Sequence, residues 1–404
     1  MLAETDITAI RSLCETTLRQ NWREGVRTSD GVPFAYTCPS PGHYPWQWYW
    51  DSCFTAIVWR HFDPASARRE LESLLAAQRP DGFIGHTIFW NTPLEGRRRF
   101  TYNVTSPDAP MTASIQPPTL AWAWRIAVGD PAAVPAIVRH HNWLAEHRDL
   151  DGDGLIWIVQ PDESGLDASP QFDAIWRNRA HGLAGFVLLV HRNRALDYDL
   201  RRIVQDGGPV CCEVMTNVLY NLSRLSLGLP SLTARIIERM YDERSGLFRL
   251  LARPEPEATP ALTWTALAPL ALPDLPDTIG RRLVEEHLLD WERFWLPVPP
   301  PSVSATDPSF SLKDGGVLGK RYWRGPTWIN AAWLVWLGLI RLGYAEPAGA
   351  LVARIVGAIS ASGLREYYDP YTGGGMGATN FGWSSLAMEL VAPDPAAPQS
   401  YVGR

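Results

Sequence analysis

The chain has no run of about 18 apolar residues, so no membrane-spanning helix is expected. Its first residues, MLAETDITAIRSLCETTLRQNW, lack the apolar core and small-residue cleavage site of a signal peptide. Cysteine is scarce and unpatterned. Cys14, Cys38, Cys53, Cys211 and Cys212 are odd in number and show no CxxC spacing, which excludes a disulfide framework and points to reduced thiols in the cytoplasm. In that compartment the sequons at Asn103 and Asn221 are incidental. There is no HExxH motif, and His140 and His141 are adjacent rather than spaced along one helical face, so neither a catalytic metal nor any other cofactor is expected. DLDGDGLIWIVQ at 149–160 opens like a calcium loop but ends on Gln160 where a bidentate glutamate is needed, which favours a plain turn. A basic stripe is also missing. With a formal charge of -6 and scattered arginines, the chain offers no general attraction to nucleic acid or anionic lipid.

What is present is a 404-residue chain, 46% hydrophobic, with 19 tryptophans. Sugar rings combine apolar C–H faces with a rim of hydroxyls, and indole platforms beside carboxylates and amides suit them. Large helical proteins also pack tryptophan in their cores, so composition alone leaves both readings open. Apolar periodicity marks helices over 6–22, 51–61, 64–78, 117–127, 131–147, 173–193, 211–227, 229–240, 262–270, 278–288, 326–342, 346–360 and 382–391, with few strand signals. Asp51 reads as an N-cap, and Pro64 and Pro326 as first-turn prolines. A dozen helices in alternating pairs, without a linker or a fixed-length repeat, predict one all-α domain over 1–404. Six hairpins in a ring would use this count. The sequence leaves the oligomeric state open.

The loops carry the chemistry. HYPWQWYWD at 43–51 alternates Trp46, Trp48 and Trp50, so an extended segment would place all three indoles on one face beside Asp51. The plainer alternative gives Asp51 only capping work and the tryptophans only packing. PDESGLDASPQFD at 161–173 holds four carboxylates in what could be a solvated turn; Asp167 stands out between Gly165 and Ser169-Pro170, in a segment tight enough to aim one side chain. GLREYYDPYTGGGMGATNFGWSSL at 363–386 sets Glu366 beside two tyrosines, a glycine run and Trp383. RYWRGPTWIN at 321–330 adds Tyr322, Trp323, Arg324 and Trp328. His86 and His181 fall in motif-bearing regions, as substrate contacts or as structural hydrogen-bonding groups.

Taken in order, WxWYWDSCF, DGFIGHTIFW, SGLDASP, YWRGPTW and EYYDPYTGGGMGATNFGWSSL resemble glycoside hydrolase family 63 across nearly the whole chain. The compact length is similar to that of the prokaryotic mannosylglycerate and glucosylglycerate hydrolases. The resemblance implies an (α/α)6 toroid and inverting hydrolysis of a small α-glycoside, with Asp167 as general acid and Glu366 as general base. It also implies a sugar pocket built from Tyr44, Trp48, Trp50, Asp51, Gln116, Tyr322 and Trp323. An inverting pair needs one protonated and one ionised carboxyl, roughly 6.5–9.5 Å apart. Asp162 and Glu163 are available to keep Asp167 protonated, and Arg365 to keep Glu366 charged if it turns toward it. The expected partner is a small carbohydrate. A glycerate leaving group would need a guanidinium, for which Arg177 and Arg179 are preferred over Arg201, Arg202 and Arg324. Without one, an α-glucosidase acting on a neutral disaccharide such as trehalose or kojibiose is the better reading. A helical-toroid sugar epimerase would call for paired basic residues, and a non-catalytic sugar binder would not need the two carboxylates.

Overall fold

A computed structural model describes residues 3–91, 111–177, 183–256, 260–313 and 322–392. Helices alternate between an outer and an inner layer along the chain. The outer ones are α1 (Glu4–Asn21), α3 (Pro64–Ala76), α5 (Val134–Arg148), α7 (Thr233–Met240), α8 (Asp277–Arg282, continued by a π-helical stretch Leu283–Leu288) and α10 (Ala345–Ser362). The inner ones are α2 (Tyr49–Trp59), α4 (Leu120–Ala127), α6 (Val214–Ser226), a 3-10 helix Trp264–Ala271, α9 (Ile329–Arg341), and the 3-10 turn Gly382–Leu386 running into α11 (Ala387–Val391). Each inner helix packs on the next, and the last packs on α2, which closes a six-membered ring. This is the (α/α)6 toroid that the family resemblance implied; the helix count alone also allowed a solenoid of helical pairs.

Inner and outer positions follow from sequence. Every residue of α2 is buried, as are Ile329–Leu339 of α9, because a helix that is apolar all round has no face for water. Outer helices keep one polar face; in α3 Asp63 caps the N-terminus by accepting from Ala65, and Pro64 occupies the first turn as expected. Trp122 of α4 and Trp333 of α9, on opposite sides of the ring, stack at 5.1 Å with planes 23° apart, so the middle of the toroid is filled. Such a pair adds about 0.5–1.5 kcal/mol beyond the area it buries.

Several boundaries differ from the sequence expectation. The helix expected over 173–193 is broken: a short helix Asp173–Trp176 ends at Arg177, whose φ is +53°, and a separate helix spans Leu183–Ala195. Pro326 lies outside α9, because Thr327 is extended and exchanges backbone hydrogen bonds with Tyr368. Pro269, which has no N–H, sits within the 3-10 helix where an α-helix was expected. Asn221 is buried and its amide donates to Thr233 Oγ1, which fits an incidental sequon; Asn103 lies outside the described residues. The five cysteines are buried and unpaired, and no described helix is long and apolar enough to cross a membrane.

The ring is tied shut at its first and last inner helices. Arg60, at the C-terminal cap of α2, reaches both carboxylate oxygens of Glu389 on α11 at 2.5 and 2.9 Å, and His61 Nε2 approaches the same carboxylate at 2.7 Å. Glu389 is fully buried, yet these partners outweigh the cost of burial and hold its pKa below the usual glutamate value. Glu389→Ala removes the buried carboxylate from a half-buried guanidinium and should cost about 2–4 kcal/mol in urea unfolding, toward the low side of what breaking a fully buried pair costs. A depressed folded pKa stabilises above the unfolded value and is lost on acidification. The gap between wild type and variant should therefore be full at neutral pH and shrink below about pH 4.5.

Candidate active site

The connections that enter the inner helices meet at one end of the ring. In HYPWQWYWD, β1 (Gln47–Trp48) pairs antiparallel with β2 (Thr87–Ile88), and α2 begins directly after it. The N-cap is Trp48, so Asp51 is not the cap expected from sequence but a first-turn residue. The cause lies far along the chain. The Trp50 N–H, which a first turn leaves without a helical acceptor, donates to Gln116 Oε1 at 2.9 Å, and this lets the helix start two residues early. Trp46 packs on Phe89 at 5.3 Å, with Trp48 against that pair, and stands outside the cavity lining that Trp48 and Trp50 reach, so the three indoles do not form one platform. The Asp51 carboxyl accepts from its own N–H and the Trp50 side chain. Burial, aided by the charge of Glu366, still pushes its pKa well above the carboxylate range.

The acid loop is anchored from below. Glu163 is fully buried and takes both arms of Arg148, at 2.8 and 2.7 Å, together with the N–H groups of Ile115 and Val159. Beyond it the chain turns sharply. Gly165 has φ +70°, and a Cβ there would lie 2.4 Å from the Trp50 ring, so only glycine lets the loop close over that indole. Ala168 adopts φ +59°, and between these two turns Asp167 reaches the cavity, half-buried.

Glu366 lies on β3 (Arg365–Tyr368), paired antiparallel with β4 (Gly375–Thr379). Its Oε2 accepts from the Ala378 N–H at 2.9 Å, and the Tyr44 hydroxyl is hydrogen-bonded to the same carboxylate. Tyr44 feels the charge of Asp167 as well, so this phenol faces both proposed catalytic groups. Burial first, and these carboxylates second, push its pKa far up and keep it a neutral donor. The neighbouring Arg365 donates to the Gly377 carbonyl at 2.9 Å.

The cavity is lined by Pro39, Tyr44, Trp48, Trp50, Asp51, His86, Gln116, Gly165, Asp167, Tyr322, Phe381 and Trp383. Asp167 and six of the expected pocket residues thus meet on one surface, with the 3%-exposed Glu366 bonded to Tyr44 behind it. Trp323 stands outside the lining, stacked on Trp328 at 3.8 Å; Tyr322, set edge-on to Trp328 and Tyr367, takes the place on the cavity wall. Arg177 is exposed and outside the lining, since the helix expected to carry it ends one residue earlier. Arg179 and His181 lie outside the described residues. Arg324 is bonded to both oxygens of Asp173 at 2.5 and 2.7 Å, Arg201 to the carbonyls of Glu146 and Asp149, and Arg202 to Asp197. Pro39, Phe381 and Trp383 were not singled out as pocket residues, although NFGW in the C-terminal motif was a signal for the last two. His86 does reach the cavity, 5.0 Å from Trp48, with burial pushing its pKa down to about 3.

Among the described residues no cluster of three His, Cys, Asp or Glu could hold a metal ion. In the calcium-like turn, Asp151 bonds Arg239 at 2.9 Å and Arg253 at 2.6 Å, and Asp153 bonds Arg239, so cationic side chains occupy those carboxylates.

The sequence matches the family described as the mannosylglycerate hydrolase MGH1-like glycoside hydrolase domain over residues 44–221 and 228–384. A mannosylglycerate hydrolase of Thermus thermophilus is 30% identical, over 87% of this chain and 95% of that protein. A glucosylglycerate hydrolase of Mycolicibacterium hassiacum is 27% identical, over 87% and 93%. The crystal structure of the family 63 mannosylglycerate hydrolase of Thermus thermophilus with Tris and D-glycerate superposes with a TM-score of 0.75 at 28% identity, covering 94% of this chain and 99% of that one.

Gly377 is the position most directly coupled to Glu366. It has φ +65°, and a Cβ there would stand 2.6 Å from Glu366 Oε2. With Glu366 as the general base that the family resemblance implies, Gly377→Ala should lower kcat at least about tenfold while the chain stays folded, because a small displacement of a catalytic group is costly in rate. Steady-state kinetics alongside a melting curve check this; unchanged kcat would mean that Glu366 is held elsewhere.

Proposed function

Since this chain belongs to the MGH1-like mannosylglycerate hydrolase family of glycoside hydrolases, we propose that it cleaves mannosylglycerate or glucosylglycerate with inversion, Asp167 acting as general acid and Glu366 as general base. The observation that carries this reading is the convergence of Asp167, Asp51 and an aromatic wall on one cavity, with Glu366 bonded to Tyr44 at its back. Asp167 protonates the leaving oxygen. Glu366, oriented by Ala378 N–H and Tyr44, takes a proton from the water that attacks the opposite ring face. Asp51, neutral through burial, can donate to one sugar hydroxyl and accept from another, and Gln116 and Tyr322 add polar contacts beside the indoles of Trp48, Trp50 and Trp383. The whole chain is read as one catalytic domain, and the five unpaired thiols support a cytoplasmic setting.

Asp167→Asn should keep ligand binding but lower turnover of poor leaving groups by orders of magnitude, and product from wild type in deuterated buffer should appear first as the opposite anomer. Wild-type turnover by the variant, or first release of the retained anomer, would sink the scheme.

For the leaving group, Arg177 is the preferred carboxylate partner: it comes ten residues after Asp167 and is exposed, whereas Arg324, Arg201 and Arg202 are already bonded. The absence of any arginine from the described lining favours a second reading, an α-glucosidase acting on a neutral disaccharide such as trehalose or kojibiose. Comparing Arg177→Ala on a glycosylglycerate and on a neutral aryl glycoside separates the two. A loss of roughly 2–5 kcal/mol in transition-state binding confined to the charged substrate supports the pairing. Equal losses, together with higher wild-type kcat/KM on trehalose or kojibiose, favour the neutral substrate.

A further inference from the structure

The hairpin that carries Glu366 is irregular where it touches the carboxylate. Gly375 pairs with Tyr368 and Met376 with Tyr367, but the next pairing is Thr379 with Arg365, so Gly377 and Ala378 together oppose Glu366. This is a β-bulge, opened by a glycine at φ +65°. Both polar groups of the peptide between Gly377 and Ala378 bond to side chains of β3. The Ala378 N–H donates to Glu366 Oε2 at 2.9 Å, and the Gly377 carbonyl accepts from Arg365 Nη2 at 2.9 Å. A trans peptide points its N–H and C=O in opposite directions within one plane, so the carboxylate and the guanidinium hold this peptide from opposite edges. The Arg365 stem lies across Gly375, where a Cβ would stand 2.4 Å from its Cγ and 3.1 Å from its Cδ, and this sets the direction of the guanidinium. Among the described residues the guanidinium forms no ion pair with a carboxylate, and it meets Glu366, its neighbour in sequence, only through the peptide.

We infer that Arg365 is a positioning residue for the general base: it acts through the Gly377–Ala378 peptide, fixing the plane of that peptide and strengthening its N–H as the donor that orients Glu366. This rests on Glu366 being the base. A charge-assisted bond to a carbonyl polarises the amide, and hydrogen bonds in such a chain reinforce one another. A carboxylate that accepts from a stronger donor is held more firmly and stays ionised to lower pH. The other groups that act on Glu366 come from elsewhere in the chain: the Tyr44 hydroxyl, which is bonded to it and also feels Asp167 of the acid loop, and the Asp51 carboxyl at the start of α2. A change at Arg365 leaves these in place.

The test compares Arg365→Met, which keeps a stem over Gly375 and loses the donor, with Arg365→Lys, which keeps a cation long enough to reach the Gly377 carbonyl. Arg365→Met should lower kcat about tenfold with KM within about threefold of wild type, because the loss falls on a group that acts in the transition state. It should also move the acidic limb of the pH profile of kcat up by about half a unit or more, since the base must be ionised to act and has lost part of what favours its charge. Arg365→Lys should recover most of kcat and bring the limb back toward its wild-type position. If Arg365→Met does not fold, Arg365→Gln, whose amide ends two atoms short of the guanidinium nitrogen, takes its place. A kcat within about twofold of wild type or an unshifted limb in the variant without the donor overturns the inference, as does a lysine variant equally impaired. Wild-type turnover by Glu366→Gln would instead overturn the reading of the base itself, and an inactive Glu366→Gln beside an unaffected Arg365→Met overturns the role of Arg365 alone.

Discussion

The active end of the molecule depends on one buried carboxylate. Glu163 accepts four N–H hydrogen bonds, two from Arg148 at the end of an outer helix and one each from Ile115 and Val159. Through Val159 and its own position it sets the start of the acid loop, and through Ile115 it sets the register of Gln116, which in turn decides where α2 begins. Asp167, Gln116, Trp50 and Asp51 are thus fixed relative to one another by a single ion pair with 1% and 0% side-chain exposure. Removing one partner of such a pair generally costs about 3–5 kcal/mol, whereas replacing both with apolar groups can be neutral for stability. An apolar pair would not direct two backbone N–H groups and a guanidinium to one point. The pair therefore does more for the geometry of the site than for the stability of the fold.

The toroid gives this arrangement its place. Outer and inner helices alternate, so every inner helix runs in the same sense and its N-terminus lies at the same end of the ring. The cavity is lined by residues that precede or open those helices: Trp48, Trp50 and Asp51 at α2, Gln116 before α4, Tyr322 before α9, and Phe381 and Trp383 at the last turn. Helix N-termini leave donors without partners and carry partial positive charge. That field favours a site rich in carboxyls. The other end of the ring gains nothing from it, and the stacked Trp122 and Trp333 fill the space between.

The ring was legible because its helices are long and strongly patterned: α1, α3, α6 and α10 lie where the apolar spacing put them, within about three residues. The failures have physical causes that sit outside the local window. Where α2 starts depends on Gln116, 66 residues away, so Asp51 read as a cap when it is a first-turn residue. The break at Arg177 is a backbone turn that apolar periodicity runs straight across. In the site, the Gly and Ser-Pro that bracket Asp167 were a readable sign of a sharp turn, and Gly165 does close against Trp50. Nothing local signals that Tyr44 meets Glu366, because the contact joins the first site loop to the last. Trp323 and Tyr322 are adjacent and equally aromatic, and only the packing on Trp328 decides which of them faces the cavity.

The charge balance of the site constrains what can bind there. Asp51 and Asp167 line one small cavity with Glu366 behind it, and Arg148, the guanidinium that reaches the acid loop from an outer helix, is already taken up by Glu163. Burial pushes the Asp51 carboxyl well above the usual carboxylate range, and the described lining sets Asp167 beside it with no guanidinium or ammonium, so the field in the cavity is that of carboxyls poorly screened by solvent. A neutral sugar ring, rich in hydroxyl donors, is stabilised by such a field. A carboxylate is repelled by it. On the proposed reading, a glycosylglycerate enters with its sugar against Trp48, Asp51 and Gln116 and its acid group directed out of the cavity toward a cationic side chain beyond the lining. The same field that orients such a substrate also disfavours the reverse pose, so discrimination between the two ends of the substrate needs no dedicated residue inside the sugar pocket.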